Sequence, residues 1–200
     1  MPMDLIDADA QAVRATLELT SRIKPEDLTR PTPCASWDLR ALLAHMTVQH
    51  EGFAAAASGR GLSEAVWRPR PQEPQPVSAY ALSAEAVLAA FAGDDVLERP
   101  FHLLEIRPEP LPGRVAVGFH LVDYVAHGWD VAATLGIPWE PPIEAVEAAL
   151  PIARAVPDGE RRLQPGASFA PGLPVTPETP PAIEFLAILG RSSTWQPKLS

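Results

Sequence analysis

Prolines divide the chain into segments that can form helices. Proline disrupts helix interiors because its ring clashes with the preceding turn and its nitrogen carries no hydrogen. The 24 prolines leave proline-free windows over residues 3–24, 34–68, 77–99, 113–137 and 182–196. In the first four windows apolar residues recur at helical spacing, whereas the alternation typical of strands is weak. The pattern predicts an all-α protein built as a four-helix bundle.

Local signals predict where these helices begin and end. The first helix is expected over residues 4–22, and the second is expected to open at Ser36, a good N-cap. The third helix is predicted to start near Val77 or Ser83. The fourth is predicted to end at Gly136, because glycine readily adopts the left-handed conformation that terminates helices.

The weaker pattern beyond residue 138 predicts a second part of the molecule. We expect residues 1–138 to form the bundle and residues 139–200 to form a C-terminal extension packed on it. The extension is predicted to hold a short helix, a proline-rich extended tail and a second short helix, over residues 143–156, 157–181 and 182–189. The first of these helices is expected to be interrupted near Pro151, since proline breaks helix interiors.

The fourth window carries the most informative polar pattern of the chain. His120, Asp123, His127 and Asp130 are spaced three, four and three residues apart, which places them within an arc of about 80° on a helix. The rest of residues 115–136 is nearly all apolar and includes no Lys, Arg, Glu or Gln. A helix that is apolar all round is normally buried, and its polar groups then need partners. Imidazole and carboxylate bind divalent metals, so the stripe predicts a metal site; hydrogen-bonded buried groups or a solvated face are the alternatives.

Histidines elsewhere in the chain are candidates for a further ligand. His45 lies midway along the second window and is the best of them, although a lone core histidine bonded to backbone is the alternative. His50 lies about 140° round the helix from His45, so both cannot face one site. His102 stands in a proline-flanked connection, where we expect it to be exposed.

Composition excludes several classes of function. The net charge of −9 disfavours nucleic acid and anionic membranes as partners. The N-terminal residues do not combine a basic region with a following apolar run, as a signal peptide would. No apolar run is long enough to span a bilayer. We therefore expect a cytoplasmic monomer or homodimer that acts on a small molecule.

The single cysteine, Cys34, excludes an internal disulfide. We interpret it as a small packing residue near Trp37, with a reactive thiol as the alternative.

Several motifs resemble a known family. The segment TPCASWDLRALLAH, residues 32–45, resembles the start of the second helix in actinobacterial DinB/YfiT-like proteins. Members of that family include the mycothiol-dependent maleylpyruvate isomerases. Residues 120–132 resemble the family's fourth helix. Residues 169–175 and 186–191, together with Trp195, are similar to an actinobacterial subgroup described as metal-binding. The resemblance covers nearly the full length and implies a DinB-like four-helix bundle.

The resemblance also implies a three-ligand metal site. Carried onto this chain, the ligands are His45 on the second helix and Asp123 and His127 on the fourth. Asp123 stands where some relatives have Glu or His, and its shorter side chain should bring the metal closer to the helix. Three protein ligands leave one position open, which is typical of catalytic zinc sites.

The resemblance to a family whose characterised members use low-molecular-weight thiols, taken with that open position, implies the expected function. Zn²⁺ is the expected metal, and the leading hypothesis is a thiol transferase or isomerase that uses mycothiol, with the metal holding the thiol as thiolate. His120, Asp130 and Tyr124 are candidates for proton transfer, and Asp130 is also a candidate to orient His127. The alternatives are a non-catalytic metal- or small-molecule-binding protein and a specialised biosynthetic or resistance enzyme that uses no thiol.

Overall fold

The computed structural model describes residues 3–34, 37–104 and 106–197 and is mostly helical. Four long helices appear in this part of the chain: α1 (Leu5–Thr20), α2 (Leu39–Ala57), α3 (Pro76–Phe91) and α4 (Gly113–Leu135). Two short strands, β1 (Pro100–Phe101) and β2 (Leu111–Pro112), form an antiparallel pair between α3 and α4. The all-α architecture predicted from the sequence is confirmed.

Some predicted helix boundaries are correct and others are shifted. Gly136 ends α4 in the left-handed conformation, with φ of 68°, as predicted. Helix α3 begins at Pro76, because proline is well suited to the first helical position. Ser36 lies outside the described residues. Helix α2 is instead capped by Asp38, whose carboxylate accepts a hydrogen bond from the backbone N–H of Ala41 at 2.8 Å.

The main hydrophobic core surrounds α4, which is buried along most of its length. Helix α1 packs against α4, and α2 packs against α3. The same core includes residues of α5 (Ile143–Arg154) and α6 (Pro181–Ile188), so the extension shares its apolar interior with the bundle. No helix in the described ranges has the length and hydropathy needed to cross a membrane. The division at residue 138 stays a prediction.

Helix α5 passes through Pro151 without interruption, so the predicted break there is wrong. The apolar face of α5 is fully packed, and this burial outweighs the loss of one backbone hydrogen bond. Five buried residues form that face: Ala145, Val146, Ala149, Leu150 and Ala153.

The proline-rich tail is ordered around one buried arginine. Residues 157–180 lack regular structure except for a 3-10 turn over Glu160–Leu163. Within that turn, the guanidinium of Arg162 donates to four backbone carbonyls, of Val156, Pro157, Ala170 and Ile188. These bonds join the tail to the ends of α5 and α6.

Candidate metal centre

Helices α2 and α4 bring three potential metal ligands together. The ligand atoms of His45, Asp123 and His127 all lie within 4.8 Å of one another. Nε2 of His127 is 3.3 Å from Oδ1 of Asp123, and Nε2 of His45 is 4.0 Å from Oδ2 of Asp123. Two ligand atoms of a tetrahedral zinc ion lie about 3.4 Å apart, given bonds of about 2.1 Å. The three side chains therefore fit a divalent ion if the ring of His45 moves slightly closer to Asp123.

The helical positions of these residues explain how the cluster forms. Asp123 and His127 are four residues apart on α4, so their side chains share one face. His45 reaches them from the middle of α2. The side chains of His45 and Asp123 are 24% and 26% exposed, whereas His127 is only 5% exposed. Solvent therefore reaches two of the three side chains, while the third is anchored in the interior.

Asp130 and Arg191 hold His127 in one orientation. Nδ1 of His127 donates to Oδ2 of Asp130 at 2.8 Å. Arg191 binds the same carboxylate with two nitrogens, Nη2 to Oδ2 at 2.9 Å and Nε to Oδ1 at 3.0 Å. A carboxylate partner on one ring nitrogen directs a metal ion to the other ring nitrogen. In this chain that nitrogen is Nε2, the atom that faces Asp123.

Burial and neighbouring charges determine which of the candidate ligands carry a proton. Burial lowers the pKa of His45 to about 4, so its imidazole is neutral at neutral pH. Burial disfavours charge on His127, but Asp123 and Asp130 raise its pKa well above the ordinary value, so a metal ion would have to displace the proton on Nε2. Burial would raise the pKa of both carboxyl groups, yet His127 lowers that of Asp123 and Arg191 lowers that of Asp130 below the usual range. Both carboxylates are therefore ionised at neutral pH.

A second set of donors shares His127 but fits a cation less well. Ligand atoms of Cys34, His127 and Asp130 also lie within 4.8 Å of one another. The guanidinium of Arg191 is 2.9 Å from Oδ2 of Asp130 and 3.9 Å from Sγ of Cys34. A metal ion bound there would face this positive charge at close range. The set that includes His45 is therefore the better cation site.

Cys34 makes polar contacts in addition to its packing contacts. Its side chain is half-buried, and Sγ donates to Oδ2 of Asp130 at 3.3 Å. The interpretation as a packing residue is confirmed in part: Cys34 packs against the core, but it also hydrogen-bonds to Asp130 beside the candidate ligands. The hydroxyl of Thr32 positions this segment, since it accepts from the N–H of Cys34 and donates to the carbonyl of Trp37.

Trp37 and Trp129 differ in their surroundings. Trp129 is buried in the core. Trp37 is only half-buried, and its ring lies 4.6 Å from the ring of His45, centroid to centroid. Trp37 therefore covers one side of a candidate ligand in addition to packing on the core.

His120 and Tyr124 hydrogen-bond away from the three candidate ligands. His120 contacts Asp9 and His50, and the hydroxyl of Tyr124 donates to the backbone carbonyl of Met46. Both side chains are fully buried, and burial raises the pKa of Tyr124 well above the ordinary value. Among the hydrogen bonds of the described residues, neither reaches the candidate metal ligands.

The other two histidines, His50 and His102, lie outside the cluster of candidate ligands. His50 faces His120 instead of sharing a site with His45, as helical spacing predicted. His102 is half-buried, and its Nδ1 is buried without a hydrogen-bond partner among the described residues. The expectation that His102 is exposed is therefore wrong. Its neighbours Phe101 and Leu103 are buried in a second hydrophobic cluster, so the segment around β1 packs into the interior.

Two contacts of the candidate site residues were not predicted from the sequence. Asp9 lies between the apolar positions Ala8 and Ala12 of α1, and an acid on such a face is a signal of a buried partner. Arg191 lies 61 residues from its partner Asp130, and no local pattern connects them.

Comparison with known proteins places the chain in a family. The family described as mycothiol maleylpyruvate isomerase N-terminal domain matches residues 10–132. Two uncharacterised proteins of Mycobacterium tuberculosis, MT0763 of strain CDC 1551 / Oshkosh and Rv0738 of strain ATCC 25618 / H37Rv, are each 31% identical over 193 residues. Those alignments cover 95% of this chain and 99% of each relative.

A solved structure has the same fold. The crystal structure of the mycothiol-dependent maleylpyruvate isomerase matches with a TM-score of 0.62 and 13% identity, over 96% of this chain and 91% of that one. At this level of identity the match shows the fold alone. The family match covers more than half of this chain. The chain therefore belongs to the mycothiol maleylpyruvate isomerase N-terminal domain family and has its DinB-like fold.

Proposed function

We propose that this chain is a divalent-metal-dependent enzyme of the thiol transferase or isomerase type. The observation that carries the proposal is the convergence of His45, Asp123 and His127 from two helices, with Asp130 fixing the orientation of His127. The family and fold support a low-molecular-weight thiol, mycothiol, as the cofactor. The substrate is a small electrophilic molecule that such a thiol attacks.

The donor chemistry favours zinc. Two imidazole nitrogens and one carboxylate oxygen are ligands that zinc accepts in tetrahedral sites, and three protein ligands leave one position for a small molecule. A bound divalent ion would supply a Lewis acid that lowers the pKa of a thiol. The partial exposure of His45 and Asp123 gives such a thiol access to the centre.

Neighbouring residues position the ligands. Asp130 is a positioning residue in this proposal: its carboxylate is bonded to His127 and Arg191, and its lowered pKa makes it a poor proton donor. Arg191 neutralises that carboxylate and fixes it in place. The ring of Trp37 shields one side of His45 from water.

Metal analysis of purified protein tests the centre. We expect about one zinc ion per chain in the wild-type protein, and loss of that zinc in His45→Ala and His127→Ala. The matched control is His102→Ala, which removes a half-buried histidine outside the cluster and should retain the metal. Stoichiometric zinc retained in both cluster variants would contradict the assignment.

Turnover tests the reaction. The first assay is the isomerisation of maleylpyruvate with and without mycothiol, followed by a panel of small electrophiles. Thiol-dependent turnover that is lost in His127→Ala supports the enzyme. Thermal stabilisation by zinc without turnover of any substrate supports the alternative, a non-catalytic metal-binding protein.

A further inference from the structure

A second polar cluster lies at the centre of the bundle. It links Asp9 of α1, His50 of α2 and His120 of α4, whose relative exposures are 1%, 0% and 0%. Nδ1 of His120 lies 2.7 Å from Oδ1 of Asp9, and Nε2 of His120 lies 3.1 Å from Nδ1 of His50. The three side chains therefore form a continuous hydrogen-bonded chain across three helices.

One atom of this chain has no partner. Nε2 of His50 is buried and makes no hydrogen bond to any described residue. The ring cannot easily turn away, because it is stacked on Tyr124 with centroids 3.9 Å apart and lies 5.2 Å from the ring of Tyr80. An unsatisfied polar atom in a protein interior is unfavourable. Its fixed position therefore indicates an occupant that supplies the missing hydrogen bond.

The hydroxyl groups of the two tyrosines whose rings flank His50 already donate elsewhere. The Thr16 hydroxyl donates to a backbone carbonyl of α1, so the Tyr80 hydroxyl, 2.6 Å from it, donates to Thr16. The Tyr124 hydroxyl donates to a backbone carbonyl of α2. Both tyrosines have used their hydrogens and keep acceptor lone pairs. Neither hydroxyl is therefore the partner of Nε2, and a water molecule is small enough to accept that hydrogen bond, as buried waters do.

The charge of Asp9 determines where hydrogens lie along the chain. Its ion-pair partner among the described residues is His120. A buried carboxylate is far more favourable beside a cation than beside a neutral ring. An imidazolium at His120 would donate to Asp9 and to Nδ1 of His50, which leaves the hydrogen of His50 on Nε2. Burial and the neighbouring His120 lower the pKa of His50 well below its ordinary value, which agrees with a neutral ring there.

We propose that Asp9, His120 and His50 form a buried proton-binding site that holds one exchangeable proton and binds an internal water molecule at Nε2 of His50. Uptake of a proton at Nε2 of His50 is balanced by transfer of its Nδ1 proton to Nε2 of His120, which becomes the cation beside Asp9. Release follows the reverse order. Of the other titratable groups around His50, Tyr80 of α3 and Tyr124 of α4 keep their protons, because burial raises the pKa of each. Asp123 acts on His50 as a more distant negative charge.

Nitrogen NMR of the histidine rings tests the site in the full-length protein as purified. At pH 7 we expect hydrogens on both nitrogens of His120, one hydrogen on Nε2 of His50, and a magnetisation-transfer peak between that hydrogen and a long-lived water. A neutral His120, a hydrogen on Nδ1 of His50, or the absence of the water peak would each overturn the proposal. The measurement requires no variant and no turnover, so its failure is distinct from failure of the proposed enzyme.

A charge-removing variant sharpens the test. Asp9→Asn keeps the shape of the side chain but removes its negative charge, so His120 should become neutral and the hydrogen of His50 should move from Nε2 to Nδ1. The matched control is Asp7→Asn, an exposed acid on the same helix, which should change neither ring. Unchanged rings in a folded Asp9→Asn protein would contradict the proposal. If that variant does not fold, the wild-type spectrum decides.

Discussion

The two polar clusters of the bundle contain similar groups and differ in their access to solvent. The outer cluster of His45, Asp123 and His127 and the inner chain of Asp9, His50 and His120 each combine two imidazoles with one carboxylate from the bundle helices. In the outer cluster two side chains are about a quarter exposed, whereas no inner side chain exceeds 1%. A metal ion needs a path from solvent and room for a further ligand. The outer cluster offers that path, and the closed inner chain is suited to a proton and a water molecule.

The clusters also differ in how charge is balanced. The outer cluster has a second carboxylate, Asp130, and a guanidinium, Arg191, so His127 is held by two acids. The inner chain has a single acid with one histidine partner. Removal of one group should therefore have a larger effect on stability in the inner chain.

The largest effect is expected from truncation of the inner acid. Asp9→Ala leaves a ring nitrogen of His120 without its partner in the interior, and loss of one member of a buried pair lowers the free energy of unfolding by about 3–5 kcal/mol. Asp123→Ala, the matched change in the partly exposed cluster, should lower it by less than about 1 kcal/mol in metal-free protein. Urea unfolding of both variants measures the difference, and equal losses would refute the contrast.

The next largest effect is the pH dependence of stability in metal-free protein. His45 and His50 are neutral in the folded chain, because burial lowers the pKa of His45 to about 4 and that of His50 well below its ordinary value. Between pH 6.5 and 4 the unfolded chain binds protons at both positions while the folded chain does not, so stability falls as pH falls.

The contribution of His45 to that fall is at most about 3 kcal/mol. Unfolding of wild-type and His45→Asn proteins in denaturant, measured across this pH range, provides the check. The variant should lose part of the slope and keep the part due to His50. A wild-type stability that is flat or rises toward pH 4 would show that the sign is wrong.

Zinc should stabilise the protein through the outer cluster alone. At a free zinc concentration about 100 times Kd, mass action adds about 2.7 kcal/mol to the free energy of unfolding. Thermal melts with zinc and with a chelator should show this stabilisation in wild-type protein and in His50→Phe, but not in His127→Ala. Zinc-dependent stabilisation in all three proteins would place the ion elsewhere.

The smallest effect is expected from the residues that orient His127. Arg191→Met or Asp130→Asn should weaken zinc binding by about 10–100-fold without abolishing it, as is typical when a partner of a metal-bound histidine is lost. The matched control is Arg154→Met, which breaks an exposed two-point pair with Glu184 and should not change affinity. Competition with a chelator measures Kd; unchanged affinity in both orienting variants would remove this role.

Much of the local structure was predictable because its causes are local. The four long helices follow from proline-free windows, and the end of α4 follows from Gly136. The shared face of Asp123 and His127 follows from their four-residue spacing. The start of α2 was less predictable, since Ser36 and Asp38 both suit a helix N-terminus and the neighbouring loop decides between them. The break predicted at Pro151 does not occur, because the packing of α5 outweighs the tendency of one proline to interrupt a helix.

The amino-acid sequence by itself determined the helical class, the family resemblance and the residue types available at each cluster. Tertiary structure alone decided which polar side chains meet: it paired Asp9 with His120 across 111 positions and Arg191 with Asp130 across 61. It also separated His120 and Tyr124 from the candidate ligands on the same helix. The physical reason is that helical periodicity fixes the angle of a side chain about its own helix, whereas its burial and partners depend on how the other helices pack around it.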